Sequence, residues 1–429
     1  MRPRRLAAAR GLPVALCTIA ALWSVYGQET PSRDGLVTLR YNRAEGTIVA
    51  ADVTSTENGV VQGNVTQDTE AKLVVLERTR DVSADAATLD EFTLGAHIRV
   101  TVNGQPMVGT DSGLDIDLGE MDPRWRCETR RETPRGEVTE AVDLPTDEPL
   151  IQVIRPLERM GSILPPDPVS VGDSWTLEHK PQLDFGQVSA TTAWRLDRVE
   201  NLDGRRVAIL TSDSEATLAD LAVPEKRFTR EIGGQQVDVR VEEYIVRLEA
   251  HYQTTMRLDI EAGAPLDVAG TSTAELDVTQ KVTVGGQVVA EHGAPMHLTR
   301  EGTSTITFRP PTDEELVLAL PVALAASVER KDLTLLRTVV APEFQLVGEG
   351  GVDALEAMLE PVFAKNERLD STLANVSAKT DGVTGSVAFM LTVKGGLNAE
   401  SMAPVYERPV TLRARKGGDT WLIVGMDQQ

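Results

Sequence analysis

Cysteine is nearly absent from this chain, with only Cys17 and Cys127 among 429 residues. Cys17 lies in an apolar N-terminal run. Removal of that run would leave Cys127 alone, so no internal disulfide can hold the molecule together and its cores must do so. A cysteine nucleophile would need a paired histidine, and spacing in the sequence does not supply one. Aromatics are scarce, at five Trp, five Tyr and seven Phe, which argues against a stacking platform for sugars. Basic residues are outnumbered 43 to 65, for a net charge of -22. Such a surface repels phosphate backbones, so nucleic acid is not an expected partner. No G-x-S-x-G, P-loop, G-x-G-x-x-G or H-E-x-x-H occurs, so no catalytic residue and no cofactor is assigned.

What is present begins with a targeting pattern. Arg2, Arg4, Arg5 and Arg10 precede the apolar run Gly11 to Val25. That run is short for a membrane span and fits an export signal over residues 1–27, with cleavage before Gln28. An uncleaved anchor is the alternative. Leu16 before Cys17 argues against a lipoprotein signal. The expectation is an exported protein, periplasmic or extracellular, with no membrane span once the signal is removed.

Residues 35–310 read as antiparallel β-structure. Turn pairs at Asn103-Gly104, Asp203-Gly204 and Gly285-Gly286 separate alternating runs, and Asn58-Gly59 and Gly233-Gly234 carry the same signal. Alternation such as Val237-Asp238-Val239-Arg240-Val241 predicts meanders or a half-barrel with one wet face. A proline-rich joint over 155–170 divides the region into 35–155 and 165–310, or lies within one domain; both remain open. After Pro310-Pro311 the pattern changes. Thr312-Asp313-Glu314-Glu315 is a capping box that opens a helix to about Arg330, apolar nearly all round, with Pro321 inside it. Asp332 caps a second helix whose face includes Leu333, Leu336, Val339 and Val340, ended by Pro342. A third helix runs from Val352 to about Lys365. Strands follow to the C-terminus. The fold class is therefore mainly β with a C-terminal α+β domain over 312–429.

The C-terminal order resembles the NTF2-like (SnoaL-like) superfamily. The resemblance rests on the first long helix and on Glu329-Arg330-Lys331-Asp332-Leu333 leading to Ala341-Pro342-Glu343-Phe344. It rests also on Gly350-Gly351-Val352-Asp353-Ala354-Leu355 and on the closing hairpin Val410 to Arg415 with Thr420 to Val424. It implies a cone-shaped domain whose curved sheet wraps the helices around a pocket, and dimerisation in some members. The β region resembles, more loosely, secreted bacterial proteins of uncharacterised function. The marks are Leu39-Arg40-Tyr41 with Gly46-Thr47, and Pro168 to Trp175. In the latter, Trp175 would pack in the core and Asp173 brace the turn.

All five histidines precede residue 312, which excludes a His-Asp dyad in the cone. Glu343, Glu349, Asp370 and Tyr406 remain as polar lining or as rim residues. Asp111, Asp115, Asp117, Glu120 and Asp122 supply oxygens for calcium, or line a strand's wet face. Glu291, His292 and His297 form an incomplete zinc set. Arg124, Arg126, Arg130, Arg131 and Arg135 form the one basic stretch, either a small-anion groove with Trp125 or a strand pairing charges with acidic neighbours. The ligand-binding expectation rests on Glu343, Glu349, Tyr406, Arg124 and Arg126. The function expected is binding without catalysis, of a small apolar ligand or an envelope protein in a concave sheet. The alternatives are a carboxylate enzyme in the NTF2-like pocket, as an isomerase, cyclase or hydrolase, and a scaffold dimerising through its C-terminal domain.

Overall fold

A computed structural model describes residues 35–61, 65–106, 114–116, 127–142, 164–179, 182–183, 186–232, 235–291, 295–346, 349–397 and 401–428. Residues 1–27, expected from the sequence to be an export signal, lie outside them. The chain opens with β1 (Ile48–Val61), β2 (Val65–Val82), β3 (Ala87–Val102), β4 (Gln105–Pro106), β5 (Leu114–Ile116), β6 (Cys127–Glu132) and β7 (Val138–Val142). It continues with β8 (Ser174–His179), β9 (Gln182–Leu183), β10 (Gly186–Leu202), β11 (Arg205–Ile232), β12 (Gln235–Asp259), β13 (Ala264–Val284), β14 (Gln287–Glu291) and β15 (Met296–Arg309). The C-terminal unit comprises α1 (Asp313–Arg330), α2 (Leu333–Val339), β16 (Val340–Leu346), β17 (Glu349–Gly350), α3 (Val352–Lys365), β18 (Arg368–Thr380), β19 (Thr384–Gly396), β20 (Ala403–Gly417) and β21 (Thr420–Gln428).

The first fifteen described strands form one sheet, ordered β7-β6-β3-β2-β1-β15-β13-β12-β11-β10-β8 along its main path. All its pairings are antiparallel. The turn chemistry explains much of this. Asn103 and Gly104 sit at φ 51° and 73°, and Asp203 and Gly204 at 51° and 82°. Gly285 and Gly286 are at 56° and 81°. These left-handed pairs match the twist of the flanking strands and close tight hairpins. Asn58-Gly59 is different and corrects the expected turn there. Both residues lie inside β1, where Asn58 faces Asp68 and Glu301, and Gly59 faces Gln67 and Arg300. The run from Ile48 to Val61 is long enough to pair on both sides, and those ladders override the local turn preference. Gly233-Gly234 lies outside the described residues.

Alternation puts the sheet's two faces to different uses. On one face, Ala51, Val53, Val75, Leu196, Leu210, Met256, Leu258, Val268 and Ile306 form a core with Val37, Leu39, Tyr41, Leu164 and Val169. The segment carrying Val37 to Tyr41 acts as a plug. Its backbone bridges Val37 and Val169, and the Tyr41 amide donates to the Pro134 carbonyl at 2.7 Å. Trp175 stacks on Trp194 with centroids 6.4 Å apart, and Asp173 Oδ2 accepts from the Ser170 amide, as expected of that turn.

On the opposite face, Ala50, Leu76, Phe92, Leu94 and Cys127 pack against the C-terminal unit. Helix α1 is covered nearly all round, which its apolar sequence requires. The capping box forms: the Glu315 amide donates to Thr312 Oγ1, and the Thr312 amide donates to Glu315 Oε2. Asp332 caps α2 through the Leu335 amide. Two local expectations need correction. Helix α2 stops at Val339, and Val340 and Pro342 belong to β16, which pairs parallel to β21. The six described strands of this unit run β17-β16-β21-β20-β19-β18, a mixed sheet instead of a simple meander. A short strand holding a proline gives little period-2 signal, so the parallel pairing was not visible locally.

Charged groups weld the two units. Asp90 has no solvent exposure and accepts from Arg80 at 2.9 and 2.5 Å, from Thr129 at 2.8 Å and from Arg78 at 3.4 Å. Arg78 also bonds Thr338, Arg80 bonds Asp332 at 3.3 Å, and Arg330 bonds Thr129 at 2.7 Å. Nearby, Arg309 bridges Asp52 of β1 and Glu315 of α1. Removing a buried carboxylate that compensates two guanidinium groups costs about 3–5 kcal/mol. Asp90→Ala is therefore expected to lower urea stability by that amount, read from the unfolding midpoint at constant slope.

The Arg309 hydrogen bonds hold the Glu315 carboxyl below its ordinary range. A depressed acid stabilises above its unfolded pKa of ~4.3 and loses that contribution as pH falls through the lower folded value. Urea midpoints at pH 7 and pH 3 should differ less for Glu315→Gln than for the wild type.

Candidate functional site

Beyond the plug, the same sheet face changes character in registered steps. The base row at the core runs Leu196, Leu210, Met256, Val268, Ile306 and Val53, each directly across from the next. Farther along the strands comes a second aliphatic row: Leu218, Leu248, Leu276, Leu298, Val61 and Val65, again partner to partner across six strands. Between the two rows lie mainly small residues, with Tyr252, Glu57 and Arg300 among them. Ser212, Thr254, Gly270, Ser304 and Ser55 make one line of small residues, and Ala216, Ala250 and Ala274 another. Small side chains leave a trough between two apolar banks.

Glycine marks where the strands approach closely. A Cβ on Gly302 would lie 2.8 Å from Ser272 Oγ and 3.1 Å from the Thr56 carbonyl oxygen. A side chain there would force Ser272 to move and press on the β1 backbone, which favours glycine at the position.

The trough holds one ion pair. Glu57 is 6% exposed and sits opposite Gly302 and Thr69. Arg300 Nη1 donates to its Oε1 at 2.6 Å. Its other oxygen, Oε2, is buried without a hydrogen-bond partner among the described residues. Glu57, Gly59, Val61, Gln67, Thr69, Leu298 and Arg300 line a shallow, open pocket of about 10 Å³. Trp194 Nε1, on the same face, is a second buried polar atom without a partner among those residues.

The C-terminal unit places its polar groups differently. Glu343 is exposed and pairs with Arg415. Glu349 lies in β17, and Asp370 pairs with Arg368 at 3.0 Å. Tyr406 is half-buried against the core, and burial pushes its phenol above the usual value. Its hydroxyl is buried and without a partner among the described residues. A group not expected from sequence is Glu329 on α1. It is buried and accepts from both the amide and the hydroxyl of Ser371, at 2.7 and 2.6 Å. The interior beside it is packed with Leu369, Leu373, Phe389, Leu391 and Val393.

The remaining sequence candidates scatter. Arg124, Arg126, Asp111, Asp117, Glu120 and Asp122 lie outside the described residues, as does His292. Asp115 falls in β5, opposite His97. Arg130 is fully buried and pairs with Glu77, Glu91 and Glu132, while Arg43 pairs with Glu77 and Glu132. Arg131 lies in the same strand opposite Thr88, and Arg135 donates to the Leu164 carbonyl. His297 bonds Asp277 at 2.8 Å. Among the described residues no group of three or more His, Cys, Asp or Glu is gathered for a metal. Likewise, none of their helices is long and apolar enough to cross a membrane. Glu57 and Arg300 were missed by sequence reasoning, because β1 and β15 lie some 240 residues apart in the chain.

No family model matches the chain, and no curated protein matches it. Distant likenesses among solved structures extend over about a quarter of it. An NTF2-like protein of unknown function from Pseudomonas putida is 14% identical at a TM-score of 0.24, covering 27% of this chain and 84% of its own. A cystatin-like-fold protein from Nostoc punctiforme is 16% identical at 0.24, covering 27% and 89%. One from Caulobacter vibrioides is 14% identical at 0.23, covering 27% and 87%. At such values these likenesses say nothing about activity.

Cys127 is fully buried, and burial pushes its thiol up to about 12. A neutral, covered thiol is a poor nucleophile. A thiol reagent such as DTNB should leave Cys127 unlabelled in native protein at pH 8 and label it in urea.

Proposed function

We propose that this is an exported, non-catalytic binding protein that holds a small apolar ligand in the trough of its long-strand sheet, with the sheet bending around the ligand. The observation that carries this reading is the aliphatic row Leu218, Leu248, Leu276, Leu298, Val61 and Val65, in register across six strands. Four of these, Leu248, Leu276, Leu298 and Val61, are only half-buried, and Val65 is 38% exposed. Solvated sheet faces are normally polar, and a contiguous apolar line beyond a packed core marks a surface that something covers. The band of Ser, Gly and Ala beside it supplies the depth. In this reading the C-terminal unit braces the sheet from behind, and the N-terminal segment 1–27 directs export.

A second reading, in which an envelope protein is the partner, draws on one further observation. Tyr244, Val288 and Val289 are exposed at 38%, 50% and 60% in strands β12 and β14.

Native mass spectrometry of mature protein gently isolated from the exported fraction should show a reproducible extra mass. Leu276→Glu places a charge in the middle of the row and should abolish that mass while the folded state persists by circular dichroism. A wild-type protein of bare mass would count against the small-ligand reading.

A further inference from the structure

The trough also contains a polar anchor, and its chemistry specifies the ligand's head. A carboxylate offers about four acceptor sites. At Glu57 one oxygen is used by Arg300, and the other is buried and unpaired among the described residues. Leaving a buried charged acceptor unsatisfied is costly, so such an atom is a place for a donor from outside the chain. Glycines flank it on the trough face. Gly302, directly across β15 from Glu57, carries no side chain, and Gly59, two residues on along β1, carries none on the same face. The next pair along that face is Val61 and Leu298, which begins the aliphatic row.

We infer that Glu57 Oε2 accepts a hydrogen bond from an uncharged donor head, a hydroxyl, on a ligand whose aliphatic body lies along Val61, Leu298 and Leu276. This rests on the binding reading above and deepens it. The preference for a neutral head follows from charge balance. Glu57 and Arg300 already compensate one another, and both side chains are largely buried, at 8% and 16% exposure. An ammonium would add an uncompensated positive charge beside Arg300, and a carboxylate would face Oε2 with like charge and no proton to donate.

The test is calorimetric titration of the full mature chain with three probes of equal chain length: 1-decanol, decylamine and decanoate. Decanol should bind about tenfold or more tightly than either charged probe, the size of one charge-assisted hydrogen bond. In Glu57→Gln the amide carbonyl keeps the Arg300 contact and the amide nitrogen faces the trough. That change turns an acceptor into a donor beside an unbalanced guanidinium, so the order should reverse in favour of decanoate. The wild-type ranking needs no variant to fold. If the wild type binds all three equally or prefers a charged head, or if a folded Glu57→Gln keeps the wild-type order, the head-group assignment is overturned while binding stands. If the wild type binds none of the three, the small-ligand reading falls and this inference falls with it.

Discussion

Burial of charge on both faces of the same three strands is the constraint on which the rest of the molecule depends. Strands β2, β3 and β6 present Asp90, Arg78, Arg80 and Thr129 toward the C-terminal unit. They present Glu77, Glu91, Arg130 and Glu132 away from it, where Arg43 joins them. A slip of one residue would exchange the two sets and leave every one of these charges without its partner. Side-chain period makes such a slip possible in principle, and buried ion pairs make it prohibitively costly. The register of this sheet edge is thus fixed more firmly by electrostatics than by hydrophobic contrast. The docking position of α1 and α2 is fixed with it.

Far from that weld the sheet is held by other means. Strand β11 has 28 residues and β12 has 25, so they reach ~80–90 Å at a strand's rise per residue. No single core spans such a length. The wet face carries hydroxyl pairs, as between Thr54 and Thr305 at 2.6 Å and Thr56 and Thr303 at 2.8 Å. It also carries ion pairs two residues apart on one strand, such as Arg198 with Glu200 and Arg240 with Glu242. Exposed pairs of this kind add little stability. What they do is keep the face charged and hydrated, which discourages sheet-to-sheet association.

The fold class was legible in the sequence because its signals are local. Left-handed Asn-Gly, Asp-Gly and Gly-Gly pairs close hairpins wherever their flanks can pair with each other, and Thr312 with Glu315 marks a helix start within four residues. Asn58-Gly59 shows the limit: the same dipeptide lies in mid-strand, because two long partners outcompete one tight turn. The site was not legible for a related reason. Glu57, Arg300 and Leu276 belong to three strands brought together only by the sheet, and nothing near any one of them in sequence distinguishes it from a wet-face charge or a core leucine. Glu343 and Tyr406 were drawn from a resemblance that covers the other unit. The structure puts the first in solvent and the second against the core.

The pairing of β1 with β15 has a consequence for how the molecule is made. Strand β1 finds β2 at once, through a short connection, but its other edge is satisfied only when Met296 to Arg309 arrive. Until then that edge is an open row of backbone donors and acceptors. Closing so long a loop is entropically slow, and the intermediate is vulnerable to pairing with another chain. A polypeptide built this way is served by remaining unfolded until synthesis is complete and then folding all at once. Its assembly is timed by the arrival of its fifteenth strand and not by its first.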